Sequence, residues 1–365
     1  MTMEKESPEE FGYDRIKYNL TESSVADMKL SDIMDPSQLF DILLSYGDHK
    51  GVLPLREEIA KQYDGLTPND ILVTTGACMA LFLVNATILS PGDRILVMGP
   101  NYAANFEVPR SLGINVEFIP ITFQKRFNIT LEDIIKHYKN DVKLISITVP
   151  HNPTGAVLEK EDFLNILHFA KSKRCYILVD ETYRELTFGD KLPLAATTDE
   201  YAISVESLSK AYGIPGLRIG WLATQNKELM ERFLAAKEQI CICNSILDET
   251  IAAHVLKNKE KILPPIMESN QQKFAVVKEW ITNEPRLEWI EPKGGVVCFP
   301  KIKEEANINI SQFYENLNKM GTFVGPGHWF EMPDSYMRIG YAWMSIEKLK
   351  EALNTISQAL DQSKN

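Results

Sequence analysis

Between about Ile71 and Thr224, short β-rich runs alternate with longer amphipathic stretches, and this alternation limits what the chain can fold into more than any other feature. The runs are Ile71–Thr75, Asp93–Met98, Val116–Ile121, Lys143–Val149, Cys175–Val179, Ala202–Glu206 and Arg218–Ala223. Leu144-Ile145-Ser146-Ile147-Thr148-Val149 is apolar at nearly every position. A strand with one solvated face would alternate instead, so the pattern predicts strands buried on both faces of a mainly parallel sheet. The segment Glu161–Lys173 spaces Phe163, Leu164, Ile166, Leu167 and Ala170 along one face of a helix. The expectation is an α/β fold, with helices on both faces of the central sheet. After Leu256 the style changes to long charged helices, Glu268–Glu279 and Ile346–Leu360, around short strands at Gly295–Phe299 and Tyr336–Gly340. The expected division is an N-terminal segment near the active site (1–45), a large domain (46–256) and a small C-terminal α+β domain (257–365). The first 40 residues hold no obvious sheet, and the expectation is that they pack on the small domain or over the cleft.

Composition narrows the function. The 365 residues are 44% hydrophobic and 24% charged, ample for a large core, and carry a net charge of −11. That balance argues against nucleic acid or an anionic membrane as partner, because nothing offsets phosphate repulsion. The five cysteines, Cys78, Cys175, Cys241, Cys243 and Cys298, show no repeated pair spacing, which suits a reduced cytoplasmic chain. Met1 to Arg15 lacks the apolar stretch of a signal peptide, and no run of about 18 apolar residues occurs. No metal centre is expected.

In open α/β sheets, ligands bind beyond the carboxyl ends of the strands. The residues just past the expected ends are Thr75-Gly76-Ala77-Cys78, Pro100-Asn101-Tyr102, Pro150-His151-Asn152-Pro153-Thr154-Gly155, Asp180-Glu181-Thr182-Tyr183 and Ser207-Leu208-Ser209-Lys210. Five such ends describe a site where one would not. Gly76-Ala77-Cys78 between a strand and an apolar helix is either a tight turn or a phosphate cradle of free N–H groups. Ser207, Ser209 and Arg218 could complete that cradle. Asp180 is either a helix cap or a buried counter-charge. Lys210 is either an exposed lysine or an amine with lowered pKa, able to form an imine.

The ordered series Asn152-Pro153-Thr154-Gly155, Asp180-Glu181-Thr182-Tyr183, Ser207-Leu208-Ser209-Lys210 and Arg218 resembles the class I/II aminotransferases, which are pyridoxal 5′-phosphate (PLP) enzymes of fold type I. The match runs from about Tyr46 to Arg338. The resemblance implies PLP as cofactor, with Lys210 as the Schiff-base lysine and Asp180 paired with the pyridine nitrogen. It puts Asn152 and Tyr183 on the ring oxygen and Tyr102 on the ring face. Gly76, Ala77, Cys78, Ser207, Ser209 and Arg218 fall at cofactor-binding positions around the phosphate. Tyr46 resembles the tyrosine that reaches the neighbouring subunit's phosphate, which implies a homodimer with shared active sites. Arg338, in Met337-Arg338-Ile339-Gly340, matches the arginine that clamps the amino-acid carboxylate, with Asn152 beside it.

Within that family, Asn19-Leu20-Thr21-Glu22-Ser23-Ser24-Val25-Ala26-Asp27 is similar to the start of the arginine oxidases and hydroxylases of natural-product pathways. Val149-Pro150-His151-Asn152 and Gly213-Ile214-Pro215-Gly216-Leu217-Arg218 resemble that group and the capreomycidine synthases. This implies oxygen-dependent oxidation of L-arginine to a 2-oxo or dehydro product, with Glu22 and Asp27 on the guanidinium. His151, an imidazole beside Asn152, is a candidate catalytic group that could face the substrate, a structural histidine being the commoner role. Met28-Lys29 stands where the hydroxylases have a histidine, so oxidation is favoured over hydroxylation. The alternatives are a helix cap at Thr21 or Ser24, a structural His151, and a conventional aminotransferase with a 2-oxo acid acceptor.

Overall fold

The computed structural model describes residues 10, 12 and 15–365. After β1 (Tyr18–Asn19) and helix α1 (Leu53–Ala60) come β2 (Ile71–Thr75), α2 (Gly76–Ile88), β3 (Arg94–Gly99), α3 (Ala104–Ser111) and β4 (Asn115–Pro120). Then follow α4 (Leu131–His137), β5 (Val142–Thr148), α5 (Lys160–Ser172), β6 (Tyr176–Asp180), β7 (Ala202–Ser207), β8 (Ile219–Ala223), α6 (Lys227–Cys241), α7 (Ile246–Lys257) and α8 (Lys259–Thr282). The main sheet has the order β2-β8-β7-β6-β5-β3-β4. Each of its strands lies within one residue of the run expected from the sequence.

The continuous apolar runs have the cause inferred for them. Ile145 and Ile147 of β5 pack with Phe163, Ile166 and Leu167 of α5 on one face of the sheet. Leu144, pointing the other way, joins Leu81 and Val84 of α2 and Phe233 of α6. Both faces are covered, so neither can alternate with polar residues.

Topology then assembles one edge. Strands β3 to β7 run parallel, so their carboxyl ends share a side of the sheet. β8 is antiparallel to both β7 and β2. It therefore starts where the others finish, with Arg218 just before it, while β2 ends on the same side at Thr75, opposite Ile219.

The rest of the chain forms smaller layers. β9 (Leu287–Glu288) pairs with β11 (Lys301–Ile302), and β14 (Met337–Gly340) lies between β10 (Val297–Cys298) and β13 (Gly325–Pro326). Helix Ile346–Asp361 buries Leu349, Leu353, Ile356 and Leu360 at helical spacing. One expectation about the N-terminus is corrected: β1 pairs in parallel with β12 (Thr322–Phe323), so the first 40 residues do contribute a strand. Nor does a helix start at Thr21 or Ser24. Thr21 instead donates its N–H (3.0 Å) and hydroxyl (2.6 Å) to Asn19 Oδ1 in a local turn. Among the described residues no helix is long and apolar enough to cross a membrane.

Candidate active site

A cavity of about 180 Å³ opens at the shared strand edge. Asp180, Ser207 and Ser209, Lys210, and Arg218 reach it from β6, from the end of β7, and from the start of β8. Ala77 and Cys78 of α2, together with Tyr102, Asn152 and Tyr183, complete much of the wall. Arg338, on β14, stands behind this wall and bonds to Asn152. Residues from Ala77 to Arg338 thus converge because the topology gathers strand ends, not because they are near in sequence.

At one end the groups suit an anion. α2 begins directly at Gly76, so its first backbone N–H groups lack helical partners. Gly76 has φ +76°, a conformation that other residues rarely adopt, and a Cβ there would lie 2.6 Å from the Arg218 guanidinium, so the glycine leaves the arginine its present position. The Ser207 and Ser209 hydroxyls share this end. The sequence suggests apolar neighbours for Arg218, but it is exposed at the cavity mouth, held by a bond from its guanidinium to the Pro215 carbonyl (2.8 Å).

At the other end Asp180 is almost fully buried. Its Oδ1 accepts from the Thr182 N–H (3.1 Å) and hydroxyl (2.6 Å), and its Oδ2 from Asn105 Nδ2 (3.2 Å). These donors fix the direction of a carboxylate that lines the cavity. Asn105 is absent from the expectations drawn from sequence, although its place in the first turn after Tyr102 puts it within reach. Between the two ends lies Lys210. Burial pushes its amine below the usual lysine value, and the nearby Arg338 charge adds to this. Tyr183 is pushed up to about 12 by burial, so its hydroxyl is a donor at neutral pH. Tyr102 stands at the rim, its hydroxyl 3.6 Å from Cys78 Sγ.

Arg338 is 7% exposed. One guanidinium nitrogen donates to Asn152 Oδ1 (3.2 Å), another to the Thr21 carbonyl (2.8 Å), and the Phe330 ring lies 5.0 Å from its centre. These contacts orient a fork suited to a carboxylate.

Two expectations fail on geometry. His151 does not face the cavity: it is fully buried, with Nε2 2.9 Å from the Pro100 carbonyl and Nδ1 2.8 Å from the Thr154 hydroxyl. A carbonyl only accepts, so Nε2 carries the proton and Nδ1 accepts. Burial drives its pKa down to about 3, and it holds the Pro150–Thr154 turn as a neutral ring. Asp27 also misses the site. It accepts from Trp343 Nε1 (2.9 Å) and borders a separate groove with Met28, Gly213 and Ile251. Glu22 does act on the site, its charge opposing the depression of Lys210, and Asn19 Nδ2 reaches it at 3.4 Å. Of the two expected carboxylates, only Glu22 is brought near the site.

Tyr46 is 80% exposed and lies outside the cavity of its own chain. The segment after it is clamped by buried charges that nothing in the sequence marks. Lys237 Nζ donates to the His49 carbonyl (2.7 Å), Arg56 Nε to the Gly51 carbonyl (2.7 Å), and Glu249 accepts from Val52 N–H (2.6 Å).

Comparison with known proteins gives this geometry its family. The model of the class I and II aminotransferases matches residues 16–356, and the chain belongs to that family. Among its relatives, an aspartate aminotransferase of Pyrococcus horikoshii is 27% identical over 331 residues, covering 87% of this chain and 84% of the relative. Capreomycidine synthase of Streptomyces vinaceus is 26% identical over 359 residues, covering 95% and 91%. A crystal structure of a PLP-dependent aminotransferase from Streptococcus suis superposes with a TM-score of 0.90 at 27% identity, covering 97% of this chain and 96% of that one. The fold is accordingly that of the PLP-dependent transferases of fold type I, and PLP is the cofactor. The donor set fits the molecule: N–H groups, hydroxyls and a guanidinium at one end, a carboxylate at the other, and an amine between.

Proposed function

We propose that the enzyme removes the Cα proton of L-arginine and passes two electrons from the substrate to molecular oxygen, releasing hydrogen peroxide and either a dehydro product or, with water supplying the oxygen and ammonia leaving, the 2-oxo acid. PLP, when bound, supplies the electron sink for the carbanion formed at Cα. In this reading Ala77, Ser207, Ser209 and Arg218 hold its phosphate, and Gly76 leaves room for Arg218. Asp180 supplies negative charge at the pyridine nitrogen, and Asn152 and Tyr183 bond to the ring oxygen. Tyr102 covers a ring face. Lys210 would hold the cofactor, and its amine, whose lowered pKa suits the role, would take the Cα proton. Arg338 would fix the substrate carboxylate and so the orientation of Cα beside Lys210.

The observation that carries the arginine assignment is the segment from Leu20 to Met28. It lies across the site and brings the Glu22 charge to bear on Lys210 and Tyr183. A carboxylate there pairs with a cationic side chain and excludes water while oxygen reacts. A second reading, amino transfer to a 2-oxo acid, is supported by the aspartate aminotransferase relative. Oxygen uptake with L-arginine alone tests the choice. Turnover that starts only when a 2-oxo acid is added would establish transamination instead.

We propose a homodimer as well. Phe40, Leu43, Leu44 and Tyr46 are each more than 70% exposed, an apolar face that a second copy would cover while Tyr46 reaches its cofactor phosphate. The division into 1–45, 46–256 and 257–365 belongs to the same proposal.

A further inference from the structure

Ser23 lines the cavity although nothing in its residue type marks it out. Its hydroxyl oxygen accepts from Lys210 Nζ at 3.1 Å, while its carbonyl accepts from the Tyr183 hydroxyl at 2.9 Å. From this juxtaposition we infer that Ser23 is a positioning residue for the reaction, its hydroxyl fixing the direction in which the Lys210 amine presents its lone pair. The inference rests on the reading of Lys210 as proton acceptor at Cα.

The backbone places Ser23 without help from its side chain. Gly340 N–H donates to the Leu20 carbonyl (2.7 Å), Val25 N–H to the Lys210 carbonyl (3.2 Å) and Met28 N–H to the Gly213 carbonyl (2.8 Å). Two glycines admit this close approach. A Cβ on Gly340 would lie 1.7 Å from the Glu22 carbonyl, and one on Gly213, at φ +61°, 2.2 Å from that of Ala26. The segment is thus tied to the backbone of the lysine that its serine addresses. A neutral amine has two N–H bonds and one lone pair. With one N–H committed to Ser23, rotation about the last side-chain bond is restricted and the lone pair holds its aim. Without that bond the staggered positions are open to it. The charged and titratable groups acting on the amine are Arg338 and Arg218, which lower its pKa, and Glu22 and Cys78, which raise it. A hydroxyl accepting from nitrogen favours the protonated form, so Ser23 works on the side of Glu22.

Ser23→Ala isolates the effect, because it deletes the hydroxyl and keeps the carbonyl that holds Tyr183. Ser23→Thr restores a hydroxyl. Exchange of the Cα hydrogen with solvent deuterium, measured on the PLP-loaded enzyme with L-arginine, L-aspartate and L-alanine, should fall about 10- to 100-fold in Ser23→Ala at saturating amino acid. KM and PLP affinity should stay within about twofold, and Ser23→Thr should recover most of the rate. Competitive acylation of Lys210 in cofactor-free protein supplies a readout apart from activity, and its midpoint should move to lower pH in Ser23→Ala. An unchanged exchange rate and midpoint would overturn the inference, as would a threonine variant as slow as the alanine one. Failure of borohydride to attach the cofactor to Lys210 in the wild type would instead remove the reading beneath it, independently of any Ser23 variant.

Discussion

The Tyr183 hydroxyl donates to the Ser23 carbonyl at 2.9 Å across 160 residues of sequence. That bond joins the turn after β6 to the N-terminal segment, and the Thr21 carbonyl gives Arg338 a comparable tie. The segment is therefore part of the site's wall rather than padding. It cannot be cut away cleanly either, since Leu20 is fully buried and Tyr18 and Val25 belong to the core. Point substitutions are the better probes.

Arg338→Ala should weaken amino-acid binding by about 2–5 kcal/mol, the cost of leaving a buried carboxylate without its partner. PLP affinity should hardly change, because the phosphate end of the cavity is built by other residues. Titrating cofactor and amino acid separately checks this, and equal loss of both would make Arg338 structural.

Asp180→Asn should keep the turn, since an amide oxygen can still accept from Thr182, but it removes the negative charge. Solvent deuterium exchange at Cα should drop by at least about 100-fold with PLP still bound. Exchange near the wild-type rate would refute the counter-charge role.

Glu22→Gln should raise the KM for L-arginine about 10- to 100-fold, corresponding to the loss of about 1.5–3 kcal/mol from a hydrogen bond to a charged group. PLP affinity should be unaffected. If a neutral amino acid is the substrate, kinetics with L-arginine and L-alanine will shift together.

His151 gives a prediction about stability and pH. Its folded pKa is depressed to about 3, from 6.5. Below 6.5 the unfolded chain takes up a proton that the folded one refuses, so the stability held above 6.5 is lost as the pH falls toward 3. Between pH 7 and pH 5 the loss from this group is about 2 kcal/mol. His151→Gln keeps neutral partners for Pro100 and Thr154 and should lose that much less over the same range. Chemical denaturation of both proteins at the two pH values measures the difference.

The sheet is legible in the sequence because strands covered on both faces are mostly apolar, as in Ile95–Met98 of β3 and Ile177–Val179 of β6. The strand-end residues follow, since parallel strands put their ends on one side. The contacts that sequence does not reveal depend on long-range packing. Asn105 meets Asp180 only after β3 and β6 are placed in the sheet, and Ser23 meets Lys210 only when the segment folds back across 187 residues. Sequence alone misplaces Asp27 because Trp343, which turns it aside, lies 316 residues away. The sequence leaves the role of His151 open for a similar reason: the Pro100 carbonyl that occupies its Nε2 comes from a different strand end.

Every role assigned to the cavity depends on Lys210 as the residue that carries the cofactor and then works at Cα. Borohydride reduction of the PLP-loaded protein, followed by peptide mapping, tests this most directly. The pyridoxyl group should be found on Lys210, in the peptide containing Ser207-Leu208-Ser209-Lys210. Its recovery on any other lysine, or its absence from protein that retains bound PLP, would contradict that role.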